Sequence, residues 1–116
     1  MNNLRNRVQL IGFIGKQPEI REFEGGKKMA RFSLATNESY KNSKGEWETE
    51  TNWHNLIAWG NTAGIIEKKL DKGSEVAIEG KLVSRSYTDK AGAKKYVTEV
   101  VLSDLVMLRT RNEKEN

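Results

Sequence analysis

The chain has 116 residues, the size of one domain, and carries 20 lysines and arginines against 16 aspartates and glutamates, a net charge of +4 that suits a polyanionic partner. It has no cysteine, which excludes a disulfide scaffold, a thiolate metal site and a cysteine nucleophile, and fits a reducing cytoplasm. A hydrophobic fraction of 36% allows only a modest core, and there is neither an apolar run long enough to span a bilayer nor the pattern of a signal peptide.

In chain order, Val8, Leu10, Gly12 and Ile14 alternate with Gln9, Ile11 and Phe13, which predicts a first strand ended by Gly15 and Pro18. Ile20 and Phe23 form a short second piece closing at Gly25-Gly26, a turn signal. Ala30, Phe32 and Leu34 then alternate with Arg31 and Ser33 as a half-buried strand. Residues 41–50 are polar around Gly45 and predict a hairpin tip, followed by a strand over 51–59 that stops at Gly60.

The spacing of Ala63, Ile66 and Leu70 predicts one helix, with Asn61 as N-cap and Gly73 as the residue after the C-cap. Lys68, Lys69 and Lys72 sit at its C-terminal end, where cations suit the dipole. Val76, Ile78, Gly80 and Leu82 next alternate with Glu75, Ala77, Glu79 and Lys81, the first set facing a core. Residues 89–93 around Gly92 predict a second hairpin tip, and a last strand covers 95–108. The domain is therefore expected over residues 1–108, with 109–116 a polar, frayed tail.

Three strands, one helix and two strands match a mainly β fold, a five-stranded Greek-key OB-fold barrel with one helix between strands 3 and 4 and two long projecting hairpins. The element order by itself also fits other small barrels.

Residues of equal parity share a strand face. Trp53, Asn55, Ile57 and Trp59 therefore face one way, and His54, Leu56 and Ala58 the other. In the fourth main strand Lys81, Val83, Arg85 and Tyr87 share a face. One side thus joins large aromatics to cations. Indole and phenol rings stack on any base, and Lys and Arg neutralise phosphates, so the pattern points to a single strand bound without reading its sequence. Tyr40, beside Lys41 and Lys44, extends the same track, and Trp47 adds a further platform. An isolated strand aromatic is nevertheless more often core, or part of a subunit interface, than a ligand platform. His54, the only histidine, faces the non-aromatic side and is expected in packing or at an interface, with no metal or catalytic role.

Several ordered segments resemble the bacterial single-stranded-DNA-binding protein family. They are Asn6-Arg7-Val8-Gln9-Leu10-Ile11-Gly12, Pro18-Glu19-Ile20-Arg21, Ala35-Thr36-Asn37-Glu38-Ser39-Tyr40, Thr51-Asn52-Trp53-His54, Trp59-Gly60, Lys72-Gly73-Ser74, Ile78-Glu79-Gly80-Lys81-Leu82, Arg85-Ser86-Tyr87-Thr88-Asp89 and Thr98-Glu99-Val100. Together they cover most of residues 4–108 in the family order.

The resemblance implies an OB fold arranged as a homotetramer, a dimer of dimers, with DNA wrapped around it. It implies a cytoplasmic, nucleoid-associated protein that needs no cofactor, catalyses no reaction and protects single strands in DNA replication, recombination and repair. The positions matching Tyr40, Trp53, Trp59 and Tyr87 stack on bases in the family, and His54 matches an interface position. Lys72, Lys81 and Arg85 match phosphate-binding positions, with Arg5, Arg7, Arg31, Lys41 and Lys44 as further candidates.

Tyr40 and Tyr87 stand where better-known members have tryptophan. Family members also carry a long tail whose acidic tip recruits replication and repair proteins. Residues 111–116 have no such tip, which is expected of a truncated chain or of a short variant such as those of mobile elements. The alternative is a primosome-type OB adaptor that docks replication proteins. A nuclease has no support, since Glu46, Glu48 and Glu50 alternate on a polar hairpin that reads as a solvated edge.

Overall fold

The computed structural model describes residues 4–109. A short 3-10 turn, Leu4–Asn6, leads into β1 (Val8–Ile14), β2 (Glu19–Glu22), β3 (Lys28–Lys41) and β4 (Trp47–Trp59). Helix α1 (Gly60–Lys69) follows, then β5 (Glu75–Thr88) and β6 (Lys94–Arg109). The strands form one sheet in the order β1-β5-β6-β4-β3-β2, and an additional β1–β3 pairing closes β1, β5, β6, β4 and β3 into a barrel. All pairs are antiparallel except β4 with β6, which run parallel at Leu56↔Val100 and Ile57↔Val101. This is the five-stranded OB layout. The short β2 adds a fourth strand before the helix and lies outside the closed ring, paired only to β3.

Period-two alternation builds the interior. Ala30, Phe32 and Leu34 of β3, Leu56 and Ala58 of β4, Val76 and Ile78 of β5, and Val100 and Leu102 of β6 point inward and are buried. Ala63 and Ile66 of α1, with Leu70 just beyond it, close one end of the barrel in the same cluster. Burying each of the larger side chains contributes about 1.5–3 kcal/mol, so few replacements here are affordable in a domain this small. No described helix is long and apolar enough to cross a membrane.

The structure corrects several expectations. β4 begins at Trp47, not at residue 51, so the first tip is only residues 42–46. Asn42 holds that tip, its Oδ1 accepting from the backbone N–H groups of Lys44 (2.9 Å) and Glu46 (3.0 Å). The polar run at 46–50 concealed the strand because both faces of the projecting ribbon meet water. The N-cap is Trp59, not Asn61, since the chain turns straight from β4 into the helix, and no side chain caps it. The C-cap is the extended Leu70, whose N–H donates to Ile66 O (3.0 Å). Gly73 instead lies in the loop before β5, where its N–H donates to Ile14 O (2.8 Å).

Leu82 has inward parity but is 50% exposed. The β1–β5 pairing ends at Val8↔Gly80, so beyond it β5 has β6 on one side and no strand on the other. There Asn6 accepts from Leu82 N–H (2.9 Å) and donates to Leu82 O (3.0 Å). Arg109 ends β6, ion-paired to Glu75 (3.2 Å), and does not belong to a tail. Residues 110–116 of the expected tail lie outside the described residues.

Candidate nucleic-acid interface

The register joins the outward-facing residues of four strands into one curved surface. Across β3 and β4 it pairs Met29↔Trp59, Arg31↔Ile57, Ser33↔Asn55 and Ala35↔Trp53. Ile57 continues to Val101 of β6, and Val101 to Lys81 of β5. Further along that ribbon come Val83↔Glu99, Arg85↔Val97 and Tyr87↔Lys95. Trp53, Trp59, Tyr87, Arg31, Lys81 and Arg85 therefore share one face. Trp53 is 61%, Tyr87 48% and Trp59 38% exposed, so none of the three is a core residue.

Each aromatic has a distinct seat. A Cβ placed on Gly15 would come within 2.3 Å of the Trp53 ring, so the indole lies directly against the bare Gly15 backbone. Gly15 is itself fixed by its N–H bond to Ser33 O (3.0 Å). The Trp59 ring has Phe23 beside it, centroids 6.0 Å apart and tilted by 33°, and the Lys27 ammonium 4.7 Å from its centre.

Between the tryptophans and Tyr87 sits a carboxylate. Glu99 is only 6% exposed and bracketed by two guanidiniums. Arg85 Nε donates to Glu99 Oε1 at 2.9 Å, and Arg31 Nη2 lies 3.8 Å from Oε2. The hydrogen bond to Glu99 is the main cause holding the Arg85 pKa above its usual value. Arg85 engages Glu99 through Nε, and its guanidinium is on the same face as Trp53 and Trp59.

Other candidates divide. Lys81, Lys41, Lys44, Lys72 and Arg5 make no ion pair among the described residues, while Arg7 Nη2 is engaged with Glu79 at 2.8 Å. Hydrogen bonds from Gln9 and Arg7 hold the Glu79 carboxyl below its usual pKa. Lys72 lies in the loop where Gly73 bonds Ile14, next to the Gly15 seat of Trp53. Tyr40 lies on the opposite face of the β3–β4 ribbon from Trp53, because it pairs with Glu48 and the register has no shift between them. Its hydroxyl donates to Glu48 Oε2 (2.8 Å), which raises the phenol pKa and lowers that of Glu48. Trp47, not Tyr40, continues the Trp53 face, with the Lys41 ammonium 5.5 Å from its ring centre. His54 is partly buried on the inward side, its Nε2 3.0 Å from Thr36 Oγ1.

The sequence reading missed Phe23, Lys27, Tyr96 and Glu99. A lone acid among Val97, Thr98, Val100 and Val101 was the available signal for Glu99. Tyr96 is 73% exposed and pairs with Ser86, on the ribbon face away from Tyr87. Among the described residues no group of three or more acidic or imidazole side chains is placed to hold a metal ion.

The chain is similar to known proteins over most of its length. Residues 5–108 match the model of the Single-strand binding protein family. Single-stranded DNA-binding protein 1 of Chlorobaculum tepidum is 45% identical over 108 residues, covering 92% of this chain and 67% of the relative. Single-stranded DNA-binding protein 1 of Xylella fastidiosa is 38% identical over 109 residues, covering 93% of this chain and 80% of the relative. A solved structure described as Plasmodium falciparum SSB complex with ssDNA superposes with a TM-score of 0.82 at 36% identity, covering 93% of this chain and 99% of that one.

Proposed function

The chain belongs to the single-strand binding protein family, and on that premise we propose that it coats single-stranded DNA without sequence preference, protecting it in DNA replication, recombination and repair. It is a binding protein, not an enzyme.

The observation that carries the site is the exposure of Trp53 and Trp59 on one sheet face shared with Arg31, Lys81 and Arg85. Each base stacked on such a ring contributes about 1–3 kcal/mol. Each phosphate met by a cation releases counterions. A duplex hides its base faces in the stack, so the same surface discriminates against it. Tyr87 extends the track along the β5–β6 ribbon, with Arg85 beside it. Tyr40 belongs to the same site if the strand passes around the β3–β4 ribbon, which is exposed on both faces. Lys72, Lys41, Lys44, Arg5 and Arg7 are peripheral cations in this reading, Arg7 the weakest because Glu79 already holds it.

Titration with oligo-dT at several salt concentrations tests the reading. Tryptophan fluorescence is expected to be strongly quenched, with log affinity falling against log salt by about 0.7 per phosphate neutralised. Little quenching, or equal affinity for a duplex of the same length, overturns it.

We also propose that copies of the chain associate, as a homotetramer. The support is an exposed apolar row on the side of the barrel away from the tryptophans. Ile11 pairs with Ala77 and Ala77 with Val106, and Ile11 and Val106 are 61% and 57% exposed. An isolated domain with a modest core gains by covering such a row. His54, on the inward side of β4, is not part of this row, and its interface role rests on the family resemblance alone. Light scattering at micromolar concentration is expected to give four times the chain mass, and Ile11→Asp to lower it; a monomeric parent chain rules the assembly out.

A further inference from the structure

We propose that Phe23 and Lys27, on the β2–β3 turn, form with Trp59 a further nucleotide subsite, taking one more base and its phosphate from the bound strand; this rests on the DNA-binding reading above. The register carries the argument. Arg21 pairs with Met29 and Met29 with Trp59, so the outward face of the tryptophan track continues onto β2. Phe23 and Lys27 are the next pair outward from Glu22↔Lys28, and alternation returns them to the face of Arg21 and Trp59.

The turn holds both residues in place. Phe23 N–H donates to Lys27 O (2.7 Å) and Gly26 N–H to Phe23 O (3.1 Å), so neither side chain is needed to close it. Phe23 is 42% exposed beside Trp59, a ring on a turn where burial does not account for it.

The two adjacent lysines separate cleanly by parity. Lys28 points to the other face, where Glu22 and Glu67 pair with it and raise its pKa, the Glu67 hydrogen bond most strongly. Lys27 has no carboxylate partner among the described residues, and its ammonium rests on the Trp59 ring. An exposed cation over an indole is weakly held compared with a stacked base. A base arriving on that ring face displaces the ammonium, which then lies within reach of the phosphate of the same nucleotide. Phe23 supplies the neighbouring platform. The tilt between the rings rules out a closed sandwich and leaves two adjoining surfaces for successive bases.

The test is affinity for oligo-dT of increasing length, measured by anisotropy on the full chain. Phe23→Ala and Phe23→Leu are each expected to weaken binding of long oligomers about fivefold or more, while Phe23→Tyr keeps parental affinity. Lys27→Ala is expected to lower the salt slope by about 0.7. Full affinity in Phe23→Leu means that the ring only packs against Trp59, and overturns the subsite. An unchanged Phe23→Ala and an unchanged salt slope, with Trp53→Ala still impaired, overturn it too and leave DNA binding intact. Failure of the unsubstituted chain to bind oligo-dT removes both proposals.

Discussion

Replacing Trp53 and Trp59 together by alanine is expected to lower affinity for oligo-dT by roughly 30-fold to 25,000-fold, the product of two lost stacks at about 1–3 kcal/mol each. The barrel is expected to survive. Both rings lie outside it, and the residues between them that form the core, Leu56 and Ala58, are untouched. The structural cost falls on the residues the rings cover: Met29 pairs with Trp59 and is 6% exposed, Ala35 pairs with Trp53 and is 8% exposed, so the double variant uncovers both and melts slightly earlier. Circular dichroism and a thermal melt therefore accompany the binding measurement. Trp47 is the third and last tryptophan of the chain, so any quenching that persists in the double variant reports the β3–β4 tip alone. A folded double variant with parental affinity would mean that these rings do not carry the strand.

Gly12→Ala is expected to be among the most destabilising single changes in the chain. β1 closes the barrel by pairing with both β5 and β3, and Gly12 lies where it passes Ala35. A Cβ there would stand 2.2 Å from the Ala35 carbonyl oxygen and 3.2 Å from Leu34 Cγ. The first obstacle is backbone of the closing strand, which has no rotamer to swing aside. Overpacking of this kind costs typically 1–3 kcal/mol, occasionally more, and a backbone clash at the closing seam belongs at or above the upper end. Denaturant titration is expected to show a lower midpoint with a similar slope. A parental midpoint would mean that β1 and β3 move apart at little cost, contrary to a tightly closed barrel.

Much of the site was legible because a strand has a period of two. Trp53 and Trp59 are six residues apart, so they had to share a face wherever the strand lay, and Leu56 and Ala58 had to oppose them. The same rule correctly grouped Lys81, Arg85 and Tyr87. It was weakest where one face is not covered. Leu82 has a core residue's parity and chemistry, yet it lies past the Val8↔Gly80 end of the β1–β5 pairing, with no strand beside it on that side. The polar strand start at Trp47 was invisible because alternation needs one apolar face to be read. Tyr40 was assigned to the track by proximity in sequence, whereas pairing with Glu48 sets it on the ribbon's other side.

The sequence by itself determined the strand faces, the single helix, the absence of thiol chemistry and, through its ordered segments, the family. These are local properties: side-chain alternation, turn residues and composition act over a few positions. Only the tertiary structure decided which strands meet. The β1–β3 closure, the parallel β4–β6 contact and the edge position of β2 join residues far apart in the chain. No periodicity encodes them, because they follow from the twist and closure of the whole sheet around one core. That closure rests Trp53 on Gly15, brings Arg31 and Arg85 to the same buried Glu99, and sets Phe23 and Lys27 against Trp59.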